Sequence, residues 1–340
     1  MVRYELSAAA VLVLAGIASG SPINPEFGAP TLDRWMYPFN GGAGAETASP
    51  TFGAVGYPGF DDRDSQFIIG FETAEQIPAG LGTGAYRITH ARVRITVAGG
   101  DFVYDPTHDE VQTYFSLENP EYIADADDGR PIELFPVGYR NGESLQTFTE
   151  HSDFGGDPIV QPAEGARNVF AATLDAGGNA TDASRNVRLG LEVFSLAQGL
   201  TDAAKPGQPV AADTEFTFEV SLCDAGTRAY LATALNEGKL NFSVSSLHET
   251  VGGPGGPQSY PVWYTKENPL AQPPFDRTAK LELTVVVSDD PDLNGDGVRN
   301  IFDFLAFQNF FVAQDLIADF DANCQFDLFD FLAYLNAFNK

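Results

Sequence analysis

Polar and apolar residues alternate along much of the middle of the chain. Phe216, Phe218, Val220 and Leu222 are separated by Thr217, Glu219 and Ser221, and Leu281, Leu283, Val285 and Val287 by Glu282, Thr284 and Val286. A period of two sends successive side chains to opposite faces, so each run reads as a half-buried strand. Runs rich in β-branched and aromatic residues at 66–72, 86–97, 112–117, 132–139, 168–174, 187–194 and 240–244 add further candidate strands. Clusters of Gly, Pro, Asn and Asp separate them, as at 253–257. One helix is predicted over 225–237, with Asp224 as its N-cap and Gly238 after its end. This supply of short strands and turns predicts a mainly β fold over residues 21–288, an antiparallel β-sandwich of jelly-roll type.

After residue 288 the period changes. Apolar residues at 304, 307 and 311, and again at 331, 334 and 338, recur at i, i+3 and i+7, which predicts two helices that bury one stripe of each against the other. An acidic loop precedes each helix. Asp292, Asn294, Asp296, Asn300 and Asp303 stand at positions 1, 3, 5, 9 and 12 of a twelve-residue loop, with Gly297 at position 6 and the Val298 carbonyl at position 7. The pattern returns 27 residues later as Asp319, Asp321, Asn323, Asp327 and Asp330, with Gln325 at position 7. The helices repeat too, as the start of one at 301–307 matches the start of the other at 328–334. Calcium takes six to eight oxygens, and loops with this spacing supply them, so the repeat predicts two Ca2+ sites. Unscreened by a cation, the carboxylates of one loop repel by about 1 kcal/mol per pair in water at contact distance. Each loop should therefore open without metal, and metal binding becomes folding energy.

The duplicated loop and helix over residues 289–340 resemble a dockerin, the calcium module that attaches secreted bacterial proteins to a cohesin on a scaffold or cell surface. Asp303 and Asp330 at position 12 match the dockerin pattern, and the Phe-rich wording at 302–309 is similar to the GC-type variant. The resemblance implies a small all-α pair of repeats, two bound Ca2+ and a cohesin-like partner. It also implies that the pairs Ile301-Phe302 and Leu328-Phe329, at positions 10 and 11, touch that partner, together with Leu305 and Leu332 outside the helix stripes. Such apolar anchors are typical of interface hot spots. Alternatively, the six residues pack on the rest of this chain. Four residues depart from the family: Cys324 at position 6 of the second loop, Arg299 at position 8 of the first, and Gln308 and Asn309 in place of basic residues. A side chain at a left-handed position costs about 1 kcal/mol relative to glycine, so Cys324 is expected to weaken the second site.

Several segments upstream, at 67–71, 77–80, 88–95, 218–220 and 280–287, are similar in order to the DNRLRE-type β-sandwich modules associated with carbohydrate binding. On that resemblance residues 100–210 are an insertion, and polysaccharide becomes a second candidate partner. Trp35, Tyr37, Trp263 and Tyr264 are the aromatic residues that either stack on a sugar or belong to the core.

The chain opens with a short charged segment at 1–5, an apolar run at 6–18 and small residues before Ser21, which reads as a secretory signal peptide over 1–20 and an exported protein. No later stretch is long and apolar enough for a membrane span. The two cysteines, Cys223 and Cys324, either pair or remain free. A formal net charge of −28, from 47 acidic and 19 basic residues, argues against nucleic acid or an anionic membrane as partner. His90, His108, His151 and His248 stand alone, and no nucleophile turn frames a serine, so no catalytic residue is assigned. The acidic run at 125–129 reads as a solvated turn or a structural calcium turn. Two functions compete: a secreted non-catalytic protein that binds or displays something, and an extracellular glycoside hydrolase or lyase carrying a dockerin.

Overall fold

The computed structural model describes residues 22–38, 40, 42–53, 64–155, 167–181, 195–249, 259–288 and 291–339. The segment at 1–20 read as a signal peptide, the candidate strand at 187–194, the Gly-Pro cluster at 253–257 and residues 289–290 lie outside the described residues.

The described strands are β1 (Pro22–Ile23), β2 (Glu26–Phe27), β3 (Leu32–Met36), β4 (Ala48–Pro50), β5 (Gln66–Glu72), β6 (Tyr86–Gly99), β7 (Ile132–Tyr139), β8 (Val169–Ala171), β9 (Thr173–Leu174), β10 (Ala180–Thr181), β11 (Ala197–Leu200), β12 (Glu215–Glu219), β13 (Lys239–Ser246), β14 (Val262–Tyr264) and β15 (Lys280–Val287). Helices are α1 (Ala225–Glu237), α2 (Ile301–Ala313) and α3 (Leu328–Phe338). The fold is mainly antiparallel β. Thirteen strands join one sheet whose main path runs β1-β15-β6-β12-β11-β7-β13-β5-β3, and β9 and β10 form a separate hairpin.

The sheet curls at β11. Ala197 and Gln198 pair with β7, whereas Gly199 and Leu200 pair with β12, so one four-residue strand passes between two arms. A Cβ at Gly199 would lie 2.8 Å from the Phe218 ring, which is why glycine occupies this crossing. Both arms send side chains into one core: Phe67, Ile69 and Phe71 of β5 and Phe242 of β13 meet Val93 and Ile95 of β6, Phe216 and Phe218 of β12, and Leu281 and Leu283 of β15. The alternation in β12 and β15 thus marks one face on this core. Residues 66–71 of β5 are instead buried throughout, because Phe67, Ile69 and Phe71 face this core while Ile68 joins a second apolar cluster with Met36, Val137 and Phe148.

The strand expected at 112–117 is replaced by a 3-10 turn at Val111–Tyr114. Arg130 donates to both the hydroxyl and the carbonyl of Thr113, and the Thr113 hydroxyl donates to the Glu110 carbonyl. These local bonds compete with the sheet ladder for the same backbone and hold a turn. The α1 expectation matches the structure: the Asp224 side chain accepts the Thr227 amide at 2.7 Å, and Gly238 adopts φ 81°.

Residues 291–339 pack against the sheet. Val286 of β15 lies in one apolar cluster with Leu293, Phe307, Ile317 and Tyr334. The Arg87 guanidinium covers the Phe320 ring at 4.4 Å. No described helix is long and apolar enough to cross a membrane.

Candidate functional site

The two acidic loops share one hydrogen-bond pattern. Asp292 Oδ1 accepts the Asp296 amide at 3.2 Å and its Oδ2 the Gly297 amide at 2.6 Å; Asp319 accepts from Asn323 at 3.1 Å and Cys324 at 2.9 Å in the same way. Asp303 Oδ1 takes the Asn294 amide and Oδ2 the Asn300 amide, and Asp330 does the same with Asp321 and Asp327. Asn300 and Asp327 in turn cap α2 and α3, accepting from Phe302 and Phe329 at 2.7 Å each. Position 12 therefore serves two ends: its carboxylate closes the loop and completes the helix capping box. Asp296 Oδ1 accepts from Val298 and Asn323 Oδ1 from Gln325, which turns both position-7 residues in the same way. At positions 3 and 5 the two loops exchange residue types. Asn294 donates to Asp296 in the first, and Asn323 donates to Asp321 in the second, both at 3.1 Å.

The donor set fits a hard divalent cation. Asp292, Asp303, Asp319 and Asp330 are buried, so each loop brings two carboxylates out of water. In the second loop Asp319, Asp321 and Asp330 each offer an oxygen within 4.8 Å of the others, the span that Ca–O bonds of about 2.4 Å cover across one ion. Asp321 Oδ1 is buried there with no hydrogen-bond partner among the described residues. Burial, followed by the nearby charges of Asp330, Asp319 and Asp327, raises the Asp321 carboxyl above its ordinary range. A cation would relieve that crowding. The first loop has Asn294 where the second has Asp321, so its corresponding triad carries one carboxylate fewer.

The second loop is also fastened to the rest of the chain. Cys223 and Cys324 form a disulfide. Arg228 of α1 donates to the Asp319 carboxylate and, at 2.9 Å, to the Asp319 carbonyl. Cys324 adopts φ 57°, the left-handed conformation expected to carry a cost at position 6, and here it is held by the cross-link.

Between the helices the predicted stripe is core. Phe307 and Tyr334, equivalent residues of the two repeats, stack at 4.4 Å and 12°, flanked by the edge-on pair Phe304 and Phe331 at 5.9 Å. Ile301, Phe302, Leu305, Leu328, Phe329 and Leu332 stay between 45 % and 65 % exposed. Among the described residues they lie outside the apolar cluster that joins the helices to the sheet. A groove beside them is lined by Gln308, Val312, Leu328 and Phe331.

The candidate sugar platform divides. Trp263 is fully buried and donates to Thr51 Oγ1 at 3.1 Å, and Tyr264 is buried with its hydroxyl on Asp213. Neither offers a face to a ligand: Trp263 belongs to the core and meets Phe216 edge-on at 5.7 Å, and Tyr264 is 5 % exposed. Trp35 and Tyr37 remain half-buried and stack on each other at 5.0 Å.

Sequence reasoning passed over a buried acidic group at the sheet's β3 edge. The Lys266 ammonium meets Asp33, Glu150 and Glu267 together. Burial pushes the Asp33 carboxyl up to about 7, against the opposing pull of Lys266. The Asp33 side chain has no solvent exposure, so a substrate could not reach it. Its cation is already present as Lys266, and the group reads as an internal ion pair. None of the acidic clusters found among the described residues includes a histidine or cysteine. No protein-family model matches this chain, and no curated protein matches it.

Proposed function

We propose that this is a secreted, non-catalytic protein whose β-rich body binds or displays a ligand, and whose last fifty residues or so form a calcium-dependent, dockerin-like plug for a cohesin-like partner on a scaffold or cell surface. The body is read as a jelly-roll-like sandwich formed by the two arms of the curled sheet around their common core. Polysaccharide is the ligand class suggested for it, with Trp35 and Tyr37 as the remaining aromatic surface. The observation that carries the reading is the duplicated loop geometry joined to a duplicated exposed apolar pair, Ile301-Phe302 and Leu328-Phe329. Calcium in both loops would fix the start of each helix and therefore the spacing of the two pairs.

Because the exposed pair is duplicated, a partner would have two approaches related by a twofold rotation. The Phe302→Ala variant and the Phe329→Ala variant should each retain capture of a cohesin-like domain in calcium, and the double variant should lose it. Unchanged capture by a folded double variant would overturn the docking face.

A further inference from the structure

The acidic turn at 125–129 is brought against a second acidic segment in the body of the protein. A bridge between Tyr104 and Arg130 lays the turn beside residues 104–109, and Gly129 permits the approach. At φ 121° and with Asp105 Cβ 2.8 Å from where its own Cβ would be, no other residue fits there. The result is that Asp105, Asp109 and Asp127 each present a carboxylate oxygen within 4.8 Å of the others.

We propose that these three residues hold a calcium ion, a site separate from the two C-terminal loops. A cluster of acidic residues could simply be solvated, but Asp105 is only 4 % exposed and its Oδ2 has no hydrogen-bond partner among the described residues. Its other oxygen accepts the Thr107 amide at 2.7 Å and the Thr107 hydroxyl at 2.6 Å, which fixes the side chain. A bare carboxylate oxygen out of water is costly until a cation, a proton or a hydrogen-bond donor meets it, and with three carboxylates converging a cation answers best. Arg130 pairs with Asp109 on one edge of the cluster and with Asp125 outside it, and its ion pairs do not extend to Asp105 or Asp127. The contrast with Asp33 is direct: there a lysine ammonium meets all three acids. Burial, with Asp127 and Asp125 adding repulsion, also raises the Asp105 carboxyl. The ligand class is a hard divalent ion bound by oxygen alone, and exposed Asp127 leaves it an entry path. The ion would tie the turn at 125–129 to the segment at 104–109.

The test counts calcium bound to the full-length chain by equilibrium dialysis at about millimolar calcium, the range of extracellular modules. The Asp105→Asn and Asp127→Ala variants should each bind one ion fewer per chain than the parent. If Asp105→Asn fails to fold, Asp127→Ala, at an exposed position, decides. Folded variants that bind as much calcium as the parent would overturn the proposal. Combining either variant with Asp292→Ala and Asp319→Ala should leave the one-ion difference intact, so failure of this site and failure of the C-terminal loops give different counts.

Discussion

Arg228 on α1 grips Asp319 of the second acidic loop twice, through the carboxylate and through the backbone carbonyl. One residue of the β-rich body thereby supplies positive charge to position 1 of the loop proposed to hold calcium. The Asp319 side chain is wholly buried and that of Arg228 is 16 % exposed, so the pair lies largely out of water. Removing one partner of such a pair leaves an uncompensated charge, at a cost of about 3 kcal/mol. Calcium can take over part of that role. Arg228→Ala should therefore destabilise the protein more in chelator than in calcium, and widen the calcium-induced rise in Tm. Scanning calorimetry in both conditions measures it, and an equal rise in parent and variant would contradict the pairing.

The disulfide acts at the same place. Cys223 and Cys324 are 101 residues apart, so cross-linking them removes much of the freedom of the unfolded chain, with an effect of about 2–4 kcal/mol. Replacing both by serine should lower the denaturant midpoint to match the reduced parent protein. Two titratable thiols in the native, unreduced protein would show the bond to be absent.

Much of this was legible in the sequence, and the failures have physical causes. Period-two runs located β12 and β15, and runs rich in β-branched and aromatic residues located β5 and β7, because one face or both meet the core. The 112–117 run was misread because its fate depends on Arg130, whose bonds to Thr113 no local pattern discloses. The loops' shared hydrogen-bond pattern was legible because it follows a fixed spacing along one segment. Asp105 and Asp127 come from two segments joined through space, and the sequence marked only the second of them. Similarly, the pairing of Cys223 with Cys324 depended on how the C-terminal helices sit on the sheet, through Val286 and Phe320, which composition does not determine.

His248 gives the body an acid-sensitive group. Its ring is buried, both nitrogens lack partners among the described residues, and it meets Phe102 edge-on at 5.4 Å. Burial, and secondarily the charge of Arg130, holds the imidazole down at about 3, against 6.5 for a free side chain. Between these values the unfolded chain takes up a proton that the folded chain refuses. The contribution of His248 to stability is therefore complete above about pH 6.5 and is lost progressively as the pH falls toward 3. His248→Gln should flatten the fall in Tm between pH 6.5 and 4 relative to the parent. Parallel profiles would contradict the buried neutral ring.

Calcium titration by calorimetry on the full-length protein, alongside Asp292→Ala and Asp319→Ala variants, tests the calcium-ordered tail most directly. The expected result is two C-terminal binding events lost one at a time, with amide exchange in chelator opening 291–303 more than the cross-linked 319–330 segment. Identical heats in all three proteins, together with a tail equally protected in chelator and in calcium, would contradict it.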